Sequence, residues 1–158
     1  MTDKINLFAV APTLMRDYQR ANIEVAAAAN FDPLLNELVK LRASQINGCA
    51  NCINLHAAEA RELGETQQRL DLLVAWREAP CFSDRERAAI GWAEALTRLS
   101  EGREHASAYE TLRDHFTEEE QIKLTLTINI INGWNRIAVG FGLYADRAEI
   151  KAAQAAAA

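Results

Sequence analysis

Two cysteines and a histidine lie close together in the run Cys49-Ala50-Asn51-Cys52-Ile53-Asn54-Leu55-His56. A thiolate is a nucleophile, and a second cysteine nearby can attack the oxidised first sulfur and close a small disulfide loop. A neighbouring histidine can accept the thiol proton, or as a cation it can stabilise the thiolate. A solvent-reachable thiolate beside a resolving cysteine suits the reduction of a peroxide. The run therefore predicts a two-cysteine thiol redox site.

Helical geometry would place these side chains on one stripe. Each residue turns an α-helix by ~100°, so Cys49 and Cys52 would lie ~60° apart and Cys52 and His56 ~40° apart. Glu59, three residues beyond His56, falls on the same face. A helix N-terminus lowers the pKa of a thiol beside it, which favours Cys49 as the activated sulfur. The histidine four residues on favours Cys52, so the spacing leaves the choice of nucleophile open.

The same residues permit other functions. Cys49, Cys52 and His56 could hold zinc with a carboxylate as fourth ligand, in a protein that binds metal without catalysis. Three ligands from one helical stripe would leave an open site, unlike most structural zinc sites, and we expect no metal. The pair could also serve general thiol–disulfide exchange without preference for peroxides. A thioredoxin-type fold is not indicated, because it requires alternating strands and helices.

The whole chain has the composition of one soluble globular domain. It has 158 residues, of which 49% are hydrophobic and 25% charged. The formal net charge is −5, with Lys and Arg scattered, which argues against nucleic-acid binding. No window reaches the ~18 apolar residues of a membrane span, and the N-terminus lacks the apolar stretch of a signal peptide. We expect a cytoplasmic protein without membrane association.

Capping signals predict the helices that carry the site. Asp32-Pro33 predicts a helix start, and Asn47-Gly48 predicts the end of that helix. A new helix is then predicted from about Ala50 to Leu63, closed by Gly64. Further helices are predicted over residues 14–29 and 106–115, after Thr66, and after the capping boxes Ser83-Asp84-Arg85-Glu86 and Thr117-Glu118-Glu119-Glu120.

The segment 124–130 gives conflicting signals. It alternates apolar and polar residues, which is a strand pattern. The capping box before it and the lack of an obvious partner strand favour a long buried helix, because an isolated strand leaves its backbone groups unpaired. We therefore predict one all-α domain over residues 1–158, with the alanine-rich tail from Ala152 frayed.

The chain resembles the AhpD-like alkylhydroperoxidases of the carboxymuconolactone decarboxylase superfamily. The resemblance rests on Glu37, eleven residues, Cys49-Ala50-Asn51-Cys52, three residues and His56. The lead-in Glu37-Leu38-Val39-Lys40-Leu41-Arg42-Ala43-Ser44 and the run Asn47-Gly48-Cys49 match the family's usual sequence. The segment Ile131-Asn132-Gly133-Trp134-Asn135-Arg136 resembles a signature of its shorter members. The match covers roughly residues 14 to 142.

This resemblance implies an AhpD-like helical bundle in a homo-oligomer, a hexamer or a trimer. It also implies peroxidase activity without metal or bound cofactor, with a hydroperoxide substrate and an external dithiol or disulfide reductase as partner. By matching position, Cys52 is the peroxide-attacking thiolate and Cys49 the resolving cysteine, while His56 and Glu37 form a proton relay. Decarboxylation is the weaker alternative, since it leaves the cysteine pair without a role.

Overall fold

The computed structural model describes residues 5–102 and 105–144, and within these ranges it contains α-helices and no β-strand. The frayed tail predicted from Ala152 lies outside the described residues. The α-helices are α1 Leu7–Val10, α2 Pro12–Ala29, α3 Pro33–Asn47, α4 Ala50–Glu62, α5 Gln67–Leu72, α6 Asp84–Thr97, α7 His105–His115 and α8 Glu118–Gly140, and short 3₁₀-helices span Leu73–Ala75 and Leu99–Glu101.

Short-range capping contacts begin several of these helices, as the sequence predicts. The carboxylate of Asp32 accepts hydrogen bonds from the backbone N–H groups of Leu34 and Leu35 at the start of α3. Both predicted capping boxes, which begin α6 and α8, are present. The segment 124–130 lies inside α8, so the prediction of a helix there is confirmed. The short helix α1 was not predicted.

Helix α3 lies at the centre of the fold and packs against α4, α6 and α8. Its apolar side chains enter two clusters of buried residues, one shared with α6 and α8 and one shared with α4 and α6. A third and smaller cluster lies where the end of α3, the start of α4 and α8 meet; it comprises Ala43, Cys49, Cys52, Ile131 and Ala138. The two cysteines therefore belong to the helix packing itself.

None of the helices in the described ranges has the length and apolar character that crossing a bilayer would require.

Candidate thiol redox site

A glycine turn places the two cysteines at the start of α4. Helix α3 ends at Asn47 and is capped by Gly48, whose φ of +65° lies in the left-handed region that favours glycine. Behind this turn, the N–H of Cys49 donates to the carbonyl of Ser44 at 3.0 Å. Cys49 is then the N-cap of α4, and its sulfur accepts a hydrogen bond from the N–H of Cys52 at 3.3 Å. The turn therefore places the Cys49 sulfur at the N-terminus of α4, where it caps the N–H of Cys52.

The two cysteines are joined as a disulfide, with their Cα atoms 5.3 Å apart, a usual separation for this bond. Both are buried, with Cys49 1% and Cys52 4% exposed, so the disulfide form does not have the solvent-reachable sulfur that the sequence predicts for peroxide reduction. Because Cys49 is the N-cap and precedes the helix, the helical angles apply only to Cys52, His56 and Glu59. The single stripe predicted from the sequence thus holds for these three residues, with Cys49 beside it.

His56 is held by carboxylates from two helices. Its Nδ1 lies 2.7 Å from Oε2 of Glu37 on α3 and 3.4 Å from Oε2 of Glu59 on α4. The other oxygen of Glu37, Oε1, accepts a hydrogen bond from Nζ of Lys40 at 2.6 Å. Both Glu37 and His56 are buried. The structure therefore joins Glu37 to His56 directly, across the interface of α3 and α4.

These contacts favour the charged forms of both partners, because they lower the pKa of Glu37 and raise the pKa of His56. Burial by itself raises the pKa of Glu37, but the hydrogen bonds and charges of His56 and Lys40 outweigh it and lower that pKa to about 2. Burial lowers the pKa of His56, yet the hydrogen bonds to Glu37 and Glu59 raise it above its ordinary value. Glu37 is thus a carboxylate at neutral pH, and the Nδ1 proton of His56 stays on the side facing it.

A buried amide network fixes the end of α3, from which the cysteine turn departs. Nδ2 of Asn47 donates to Oδ1 of Asn132 at 2.9 Å and to Oδ1 of Asn135 at 2.8 Å, both on α8. Nδ2 of Asn135 donates in turn to Oγ of Ser44 at 3.1 Å. Asn135 is 1% exposed, so these bonds cannot be replaced by water without opening the core. Residues of α8 thereby position the turn at Gly48.

Close packing of α2 on α8 explains the glycine within the same segment. A Cβ at Gly133 would collide with Oη of Tyr18. The Tyr18 ring meets the ring of Trp134 edge to face, with the centroids 5.0 Å apart. Gly133 therefore permits this close approach, since a Cβ there would force the end of the Tyr18 side chain to shift, while its neighbours hold the amide network.

The structure brings Glu37, Cys49, Cys52 and His56 to one place at the junction of α3 and α4. It also assigns positioning contacts to Asn47, Asn132 and Asn135, which the sequence singled out only as part of matching segments. Asn47 lies at the predicted end of a helix, so its side chain could have been proposed as a hydrogen-bond donor. The sequence gives no indication of the residues to which it donates. The ligand set Cys49, Cys52 and His56 is not available to a metal in this disulfide form, since ligation requires thiolates.

This architecture is similar to that of proteins with known structures. A crystal structure from Agrobacterium tumefaciens, of a protein of unknown function named as a candidate antioxidant defence protein AhpD, is 39% identical and has a TM-score of 0.84. The match covers 91% of this chain and 99% of the Agrobacterium chain. The fold and site thus define an AhpD-like helical protein. The chain belongs to the carboxymuconolactone decarboxylase family, whose family model matches residues 12–95.

One curated protein is similar in sequence, and one further solved structure is similar in fold. The protein YdfG of Bacillus subtilis (strain 168) is 36% identical over 145 residues, which is 90% of this chain and 96% of YdfG. The apo structure of the debrominase Bmp8 has a TM-score of 0.78 at 18% identity and covers 89% of this chain and 75% of that one. The likeness to Bmp8 is one of fold alone, so the reaction of this chain has to be argued from its own site.

Proposed function

We propose that this protein is a thiol-dependent peroxidase that reduces hydroperoxides through Cys49 and Cys52. The Cys52 thiolate attacks the terminal peroxide oxygen, the O–O bond breaks, and the products are a Cys52 sulfenic acid and, after protonation, an alcohol. The Cys49 thiolate then attacks the Cys52 sulfur, which releases water and forms the disulfide. The observation that carries the proposal is the contact of Glu37 with His56 next to a cysteine pair that can form this disulfide.

The first step needs a proton acceptor for Cys52, and His56 is suited to that role. Glu37 accepts the hydrogen bond from Nδ1 at 2.7 Å, which fixes the tautomer and leaves the Nε2 lone pair as the basic site of the neutral ring. Cys52 and His56 are four residues apart on α4, and therefore share one face. In this proposal His56 is the base and Glu37 is a positioning residue that acts through it.

The second step needs a thiolate at Cys49, and the end of α4 is suited to stabilise it. The N–H of Cys52 already points at the Cys49 sulfur. The positive end of the helix dipole favours a negative charge at this place. The two lines of reasoning that conflict in the sequence thus support different steps: the histidine activates Cys52, and the helix end activates Cys49.

An external dithiol or a disulfide reductase completes the proposed cycle by returning the pair to thiols. A reducing compartment such as the cytoplasm suits this chemistry. We also propose a homo-oligomer, a trimer or a hexamer. Apolar side chains exposed on α1 and α2 support an interface, namely Phe8 at 43%, Val10 at 74%, Leu14 at 70% and Ile23 at 60%. Sedimentation equilibrium tests this part of the proposal, and a monomer at micromolar concentration would contradict it.

The assay that tests the activity follows the consumption of an organic hydroperoxide with dithiothreitol as reductant. We expect turnover in the wild type, none in Cys52→Ser, and wild-type turnover in Cys81→Ser, because Cys81 is a half-buried cysteine outside the pair. In Cys49→Ser one equivalent of peroxide should still oxidise Cys52 to the sulfenic acid, which a dimedone probe would trap. Unchanged turnover in Cys52→Ser would refute the assigned nucleophile.

General thiol–disulfide exchange is the alternative enzyme function for the same pair. The peroxidase and exchange functions are distinguished by comparing two rate constants of the pre-reduced protein, one for its reaction with a hydroperoxide and one for its reaction with a small disulfide. A faster reaction with the disulfide would favour the exchange function. Labelling of each thiol over a pH series gives the order of ionisation, and earlier ionisation of Cys49 would reverse the roles of the two cysteines.

A further inference from the structure

Three potential metal ligands meet at His56, and none of them is a cysteine. Among the described residues, Glu37, His56 and Glu59 form a group whose ligating atoms all lie within 4.8 Å of one another. We infer that these three side chains form a binding site for a divalent transition-metal ion such as Zn²⁺, and that the ion inhibits the peroxidase. The inhibition rests on the proposed function, whereas the binding site rests on geometry alone.

Both separations from His56 to its carboxylates suit a small divalent ion, and the two carboxylates lie within 4.8 Å of each other. Zinc bonds of about 2.0–2.1 Å to nitrogen and oxygen imply tetrahedral ligand–ligand separations of about 3.3 Å. His56 Nδ1 lies 3.4 Å from Glu59 Oε2, which is close to this value. It lies 2.7 Å from Glu37 Oε2, because a proton lies between them. Replacing that proton with a zinc ion requires the two groups to separate by only about 0.6 Å, which a glutamate side chain can accommodate.

The chemistry and charge of the site also suit such an ion. Imidazole and carboxylate are ordinary zinc ligands, and three protein ligands leave a fourth position for water. Lys40 binds Oε1 of Glu37, so Oε2 remains as the ligand atom. Once an ion replaces the Nδ1 proton, the ring is neutral and two carboxylates face one lysine, so the ligands offer the ion a net negative charge. The Glu59 side chain is 39% exposed and lets an ion reach the site from solvent.

A metal ion on Nδ1 would remove the basic function of His56. The ring nitrogen that now shares a proton with Glu37 would bind the ion, and the proton of the neutral ring would move to Nε2. An Nε2–H group cannot accept the proton of Cys52, so the first step of peroxide reduction would slow. Since no cysteine is a ligand, the site exists in the disulfide form as well as in the dithiol form, which separates it from a zinc site built on Cys49 and Cys52.

The binding experiment uses the full-length oxidised protein, in which the cysteine pair is a disulfide. Zinc chloride is titrated in a non-chelating buffer, with a chromophoric chelator as competitor. We expect one ion per chain, and an affinity lowered about tenfold or more in Glu59→Gln, because one of three protein ligands loses its charge. Glu62→Gln, which alters the same residue type on the same helix outside the group of three, should bind as the wild type does.

Three results would overturn the site: no zinc binding to the oxidised protein, binding that appears only after reduction of the disulfide, or equal affinity in Glu59→Gln and the wild type. Inhibition is measured separately, as single-turnover oxidation of pre-reduced, desalted protein by a hydroperoxide with and without zinc. We expect zinc to slow the wild type more than Glu59→Gln. Equal inhibition would refute the assigned ligands.

Failure of the proposed function is distinguishable from failure of this inference. A metal-free protein that does not consume hydroperoxide would refute the peroxidase, while the zinc titration of the oxidised chain would still decide the site. Conversely, an active peroxidase that binds no zinc in the disulfide form would refute only the metal site.

Discussion

Replacement of Glu37 by glutamine should weaken the fold and lower the basicity of His56. Interactions with His56 and Lys40 lower the pKa of Glu37 from its usual 4.5 to about 2, against the opposing effect of burial. One pKa unit corresponds to about 1.36 kcal/mol, so the carboxylate is favoured in the folded state by about 3 kcal/mol. Glutamine keeps the shape and an acceptor oxygen but not the charge. We therefore expect Glu37→Gln to lower the free energy of unfolding at pH 6 by about 1 to 3 kcal/mol.

The pH dependence gives this prediction a definite sign. The pKa of Glu37 is lowered on folding, so its contribution is present above pH 4.5 and disappears as the pH falls toward 2. The pKa of His56 is raised on folding above 6.5, so its contribution is present below 6.5 and disappears as the pH rises through the higher folded value. The pair should therefore stabilise the fold most between about pH 4.5 and 6.5.

Urea unfolding of the wild type and Glu37→Gln from pH 2 to 8 measures this contribution. A matched control is Glu110→Gln, which removes an exposed carboxylate on α7. Imidazole NMR should show a lower pKa for His56 in Glu37→Gln. The oxidation of Cys52 by hydroperoxide should slow by roughly 10²-fold, the lower range for a positioned proton acceptor. A difference in unfolding free energy that is constant from pH 2 to 6, or an unchanged pKa of His56, would refute the reasoning.

Three further changes test how the surrounding structure positions the site. Asn47→Ala removes the donor to Oδ1 of the buried Asn135, whereas Oδ1 of Asn132 still accepts from Arg136, and it should lower the free energy of unfolding in urea by about 1 to 3 kcal/mol. Gly133→Ala should lower the free energy of unfolding by about 1 to 3 kcal/mol, and adding Tyr18→Phe should restore most of this loss, because the collision is with the tyrosine hydroxyl. Additive losses in the double variant would contradict this explanation. Gly48→Ala should lower the free energy of unfolding by about 1 to 2 kcal/mol because of its positive φ. The control Gly140→Ala lies in a helix with open space around it and no positive φ, and should not lower the free energy of unfolding.

The sequence by itself determined the long helices and the kind of chemistry that the cysteine pair can perform, although not the short helix α1. Helix starts at Asp32, Ser83 and Thr117 are encoded by side chains that bind backbone groups two or three residues away, so local sequence suffices to predict them. The same holds for the turn at Gly48, where the glycine takes the left-handed conformation. Helical spacing also placed Glu59 near His56, because both lie on one helix.

Tertiary structure decided which residues complete the site. Glu37 reaches His56 across 19 positions of sequence, and Asn47 reaches Asn135 across 88. Helical periodicity relates side chains only within one helix, so neither contact follows from spacing; the family resemblance supplied Glu37 but not its bond to Nδ1. These contacts exist because α4 and α8 both pack against α3, and that packing depends on the whole buried core. The same packing brings Glu37 to the nitrogen of His56 that Glu59 already approaches within α4.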